Sequence, residues 1–146
     1  MTRPFRVRAT VALIAVATLS SVAHADDQDT IDYRRFIMQS LDDQSAAIDQ
    51  ILQQKAPAEN LATHAQILAI TATMAKKAFE PKVPGGKAKP EVWSKWADFS
   101  KRLDELVVYT RAVARAAKDG VAATGPALGA SHPCKDCHNN YLVQKK

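Results

Sequence analysis

From Val92 onward, the residues Val92, Trp96, Phe99, Leu103, Leu106, Thr110, Val113 and Ala117 step by four and three in strict alternation. That spacing keeps all of them on one face of an α-helix, whereas a strand would send successive side chains to opposite faces. An amphipathic helix of this length cannot bury its own apolar stripe, so other segments of the chain must cover it.

Two earlier blocks carry matching stripes. Ile31, Arg34, Met38, Leu41, Ser45, Ile48 and Leu52 form the first, which is expected to end near Lys55. The second opens with Pro57 in the first helical position and continues through Leu61, Ala65, Leu68, Ala72, Ala75 and Phe79. Between it and the Val92 block, Pro81-Lys82-Val83-Pro84-Gly85-Gly86, closed by Pro90, reads as a loop. Gly120 ends the third block, and a fourth runs to the C-terminus through Pro126, Gly129 and Pro133, each of which weakens helix formation. Three long amphipathic helices and one short one, joined by short connections, predict an all-α, antiparallel up-down four-helix bundle. The chain has neither an internal repeat nor a low-complexity tract.

The short fourth block contains Cys134-Lys135-Asp136-Cys137-His138, the pattern C-x-x-C-H. On a helix the two thiols share a face and can add to the two vinyl groups along one porphyrin edge, while His138 brings its imidazole beneath the ring. The motif predicts one covalently bound haem c, with Cys134 and Cys137 as thioether anchors and His138 as the proximal iron ligand. A dithiol redox pair would sit beside a βαβ unit, and no strand pattern is present. A structural zinc site needs a fourth ligand, for which only His64 and His132 stand ready. A surface disulfide is the simplest remaining alternative.

At the other end, Arg3, Arg6 and Arg8 form a basic region, Val11 to Leu19 an apolar stretch too short to span a bilayer, and Ala23-His24-Ala25 an A-x-A cleavage site. Residues 1–25 therefore read as a Sec-type signal peptide, with a retained N-terminal anchor as the alternative. Residues 26–146 would form one haem-binding domain, located in the periplasm with no membrane contact in the mature form. The arginines are not adjacent, which argues against twin-arginine export. The full chain holds 20 basic and 15 acidic residues; the leader takes three of the basic ones, leaving +2, which two haem propionates would offset. The basic character thus gives no support to nucleic-acid binding. With both cysteines assigned to haem, no disulfide framework is implied.

The chain resembles the class II c-type cytochromes, meaning cytochrome c′ and its low-spin relatives of the cytochrome c-556 type. The resemblance rests on the C-terminal C-x-x-C-H, on Tyr33-Arg34-Arg35-Phe36-Ile37-Met38, and on Pro90-Glu91-Val92-Trp93 followed by Phe99. Class I cytochromes c carry the haem motif near the N-terminus. In the class II family, the first helix presents one residue to the distal side of the haem, and the resemblance places Met38 there. Members with methionine are six-coordinate and look like electron carriers, whereas members with an apolar or aromatic residue are five-coordinate and bind small gases. The expected function is accordingly a one-electron carrier with His138 and Met38 as axial ligands, not an enzyme. The alternative is a five-coordinate cytochrome c′ that binds nitric oxide or carbon monoxide. A soft thioether favours ferrous iron and fills the open position. Plain core packing is the other reading of Met38, and Met74 falls off its helix's core stripe.

The resemblance also implies a haem propionate as the partner of Arg34, one turn before Met38, against a reading in which Arg34 only snorkels to solvent. Phe36, Leu41, Phe99 and Tyr141 are candidate pocket walls. Two departures stand out. Leu142 occupies a position usually basic in the family, for which Lys145 and Lys146 are candidate substitutes, and His132-Pro133 interrupts the approach to the motif. Lys76, Lys77, Lys82, Lys87, Lys89, Lys95 and Lys101 gather around the second connection, where they could steer an acidic periplasmic redox partner. Phe36 and Ile37 lie off the core stripe, which suggests an apolar surface for a homodimer built on the first two helices.

Overall fold

The computed structural model describes residues 26–129 and 133–144; the signal-peptide reading, His132, Lys145 and Lys146 lie outside the described residues. Helix α1 spans Asp27–Leu52 and starts where the Asp26 carboxylate accepts from the Asp29 amide. It ends as Gln54 turns to a left-handed φ of 58°. After a single 3₁₀ turn over Ala58–Asn60, α2 runs through Leu61–Phe79.

All six stripe residues of α2 are buried, and three further small residues, Ala69, Thr71 and Ala78, keep its contact faces flat. Small side chains let two helices approach α2 at once, and it packs on both α1 and α4.

The expected third helix is broken. Glu91–Ser94 forms a short α3, Lys95 leaves helical geometry at φ −117° and ψ 41°, and α4 follows over Trp96–Ala116. Hydrogen bonds from Lys95 N to Glu91 O and from Phe99 N to Lys95 O carry the chain through the kink. The first turn is tied to a different neighbour: Trp93 Nε1 donates to Phe79 O at the end of α2. Thr110, a polar member of the α4 stripe, is satisfied by donating to Leu106 O.

Gly120 then takes φ +92°, closed to other residues, and turns the chain into α5, Val121–Gly129. Despite Pro126 inside it, α5 forms a helix and is docked on α4 by the bond from Tyr109 Oη to Leu128 O. The haem-motif helix α6 covers Pro133–Tyr141. The fourth position of the bundle is thus shared by α5, against α1 and α4, and α6, against α3 and α4. The molecule is all-helical, as the stripes predict; among the described residues the only bridges pair Gly85 with Ala88 and Ala88 with Leu142.

One stripe needs correction. Ile37, read as off the core, is buried at 7% exposure, while Phe36 is 61% exposed. Ideal helices turn 3.6 residues per turn, so a seven-residue repeat drifts around α1. Ile37, Ile48 and Ile51 occupy the edge facing α2, where Gln44 also meets His64, and Met38 and Ser45 fall on the opposite, half-buried edge.

Candidate haem site

Helix α6 exposes one face and buries another. Tyr141 is its anchor, 5% exposed and stacked edge-on against Phe99 at 5.0 Å; Phe99 in turn meets Phe79 at 5.1 Å and Trp96 at 5.9 Å. With Tyr141 fixed inward, Cys134 and His138 are left exposed and Cys137 half-buried, both cysteines carrying free thiols. The three groups of the motif are accessible to a ligand.

The surroundings of those thiols show what they face. Desolvation raises the Cys134 thiol, and the nearby Asp42 carboxylate adds to the effect. Asp42 lies one turn beyond Met38 on α1, so the motif looks toward the Met38 edge of that helix. Desolvation pushes the Cys137 thiol up to about 11, against the pull of Arg102. Met38 is half-buried at the margin of the core. Helix α6 packs chiefly on α3 and α4. Two thiols three apart with an accessible imidazole beside them fit a haem c.

Arg34 is 3% exposed, and its guanidinium donates to Val83 O at 2.6 Å and Gly85 O at 2.7 Å. It also lies over the Trp93 and Phe79 rings at 5.1 and 5.7 Å. The snorkelling reading of Arg34 is thereby excluded. Two of its five N–H donors hold the loop, and burial lowers its pKa.

Of the candidate walls, Leu41, Phe99 and Tyr141 belong to the core cluster. Phe36 does not: it points to solvent under the Arg35 guanidinium, 5.0 Å from its ring centroid. Met74 is exposed, and His64 bonds Gln44 on the flank of the bundle. Arg102 and Asp98 were not legible as site residues. Asp98 accepts from Tyr141 Oη and from Arg102 Nε, and both bonds hold its carboxyl below the usual range. Arg102 reaches Cys137 electrostatically, so α4 supplies a cation beside the motif although Leu142 does not. The i, i+4 spacing of Asp98 and Arg102 was the available signal, but it reads equally well as an ordinary surface pair.

An all-helical bundle bearing an accessible C-x-x-C-H on its last helix defines a c-type haem protein of the electron-transfer and gas-binding class. The family model described as Cytochrome C' matches residues 29–142, and the chain belongs to that family. A cytochrome c′ from Alcaligenes xylosoxydans xylosoxydans is 27% identical over 127 residues, covering 83% of this chain and 98% of the relative. A solved ferrous variant of cytochrome c prime from Alcaligenes xylosoxidans superposes with a TM-score of 0.77 at 24% identity, over 84% of this chain and all of that one. Another ferrous variant, with bound NO, gives 0.72 at 26% identity and the same coverage. The bound group of this family is one covalently attached haem c with its iron.

Proposed function

We propose that this chain is a periplasmic monohaem cytochrome that exchanges single electrons and takes a diatomic gas, nitric oxide or carbon monoxide, on the Met38 side of its haem. The observation that carries gas binding is the solved relative with bound NO, 26% identical across the whole of that chain. When bound, the haem supplies a one-electron iron couple and an axial position. Cys134 and Cys137 tether it through changes of oxidation state, and His138 holds the iron from the proximal side. Met38 presents a half-buried thioether with no hydrogen-bonding demand, so it screens the distal face from water without offering acid or base. We assign the protein a carrier and gas-binding role rather than an enzymatic one.

A second reading is favoured by the identity of residue 38 itself. If the Met38 sulfur completes the coordination, the protein is a six-coordinate, low-spin carrier, and the soft ligand raises the potential. In either reading Arg34 keeps three donors beyond those given to the loop, enough to meet a propionate.

For partners we propose an acidic redox protein steered by lysines, and self-association over the outer faces of α1 and α2. Lys76, Lys77 and Lys101 are paired with Asp104, Glu80 and Glu105, and Lys89 binds Asn139 O. Lys82, Lys87 and Lys95 remain without an ion pair among the described residues. Tyr33, Phe36, Ile67, Ile70 and Met74 are the large exposed hydrophobic residues of these two helices.

The test is the visible spectrum of oxidised and reduced holoprotein, with and without carbon monoxide, beside Met38→Ala. Broad high-spin bands and ready carbon monoxide uptake in the wild type support gas binding. Sharp bands and carbon monoxide resistance, both lost in Met38→Ala, support the six-coordinate carrier.

A further inference from the structure

The segment between α2 and α3 is fastened to α1 on one side and to the end of α6 on the other. On one side Arg34 grips Val83 O and Gly85 O, and Gly85 and Gly86 lie so close to Ile31 of α1 that an added Cβ would come within 2.8 and 3.1 Å of its side chain. Both glycines also hold positive φ, 131° and 62°, so no other residue fits without strain. On the other side Ala88 bridges Leu142, Val143 N donates to Lys87 O at 2.9 Å, and Lys89 N donates to Tyr141 O at 2.9 Å. Lys89 Nζ adds a bond to Asn139 O. Residues 83–89 therefore run as a strap from the helix that carries Met38 to the segment directly after His138. This strap is a short, hydrogen-bonded path between α1 and the end of α6, whose main packing is on α3 and α4.

We propose that Arg34 is a positioning residue: through the strap 83–89 it sets the separation of the Met38 and His138 helices, and so governs access to the distal face. This rests on the reading that Met38 borders the iron. A buried guanidinium bound to carbonyls carries out that task through its shape. Its planar fork reaches two carbonyls at once, and a lysine ammonium of the same charge is not pre-organised to do so. A propionate contact needs only the charge. The two roles are separable by substitution.

The experiment uses holoprotein of the wild type, Arg34→Lys, Gly85→Ala, their double variant and Met38→Ala. It reads amide hydrogen exchange and the rate of carbon monoxide association to the reduced protein. Arg34→Lys retains the charge, while Gly85→Ala displaces the strap without touching it. The expected result is that each single variant speeds exchange at the Lys89 and Val143 amides, and carbon monoxide association, by about tenfold, the effect of one lost charge-assisted bond. The double variant should match the singles, because both release one strap. Wild-type exchange in Arg34→Lys overturns the clamp, and faster exchange with unchanged carbon monoxide association overturns the control of access. If Met38→Ala leaves spectrum and association unchanged, the distal reading itself falls, while exchange still reports whether Arg34 holds the strap.

Discussion

At the scale of the residue, the haem site depends on a few side chains whose partners lie far off in sequence. Trp93 is one of them, since its indole donates to Phe79 O and its face covers Arg34. Trp93→Phe keeps the ring and removes the donor, and we expect a loss of about 1 kcal/mol, read from the urea midpoint. Tyr141 is another. Its hydroxyl helps hold the Asp98 carboxyl below the usual range, and a carboxyl depressed by folding contributes stability above its unfolded pKa that is lost as pH falls through the folded value. Tyr141→Phe should therefore reduce stability at neutral pH and leave it little changed at strongly acid pH. A wild-type-like difference at every pH in paired denaturation curves would refute the link. The residues of C-x-x-C-H were legible because their chemistry is local, set by a spacing of three and an adjacent imidazole. Arg102 was not, because its relation to Cys137 exists only once α4 and α6 are packed.

Elements tell a similar story at longer range. The stripes of α2 and α4 predict their buried faces nearly residue by residue, since a 3.6-residue period projects directly onto one side of a helix. The kink at Lys95 was not predicted, because the stripe runs through it unbroken and the tie from Trp93 to α2 is tertiary. Neither was the firmness of α5, whose Pro126 argues against a helix until the bond from Tyr109 fixes it. Two substitutions probe these elements. Gly120→Ala meets no atom within 4 Å, so its cost is conformational alone, about 1 to 3 kcal/mol, visible as a lowered melting temperature. Ala72→Leu would force α2 away from its neighbours, and overpacking of this kind costs about 1 to 3 kcal/mol in the same assay.

For the whole molecule, the haem is expected to reinforce the seating of α6, which has fewer packing neighbours than the long helices. α1, α2, α4 and α5 pack on one another, whereas α6 rests on α3 and α4 and is tied toward α1 by the strap. A Cys134→Ser, Cys137→Ser double variant, unable to hold haem covalently, should retain helical circular dichroism but unfold at lower denaturant and with protection lost first in α6. Protection in α6 equal to that of the holoprotein would contradict this. By itself, the sequence determined the helical class, the buried faces of α2 and α4 and the covalent cofactor, because each follows from spacing along a single segment. Only the tertiary structure decided that Ile37 is buried and Phe36 is not, that Arg34 grips a loop, and that Arg102 comes close enough to Cys137 to lower its thiol pKa. Those outcomes depend on which edge of a helix meets which neighbour, and that is set by the packing of the whole bundle rather than by periodicity.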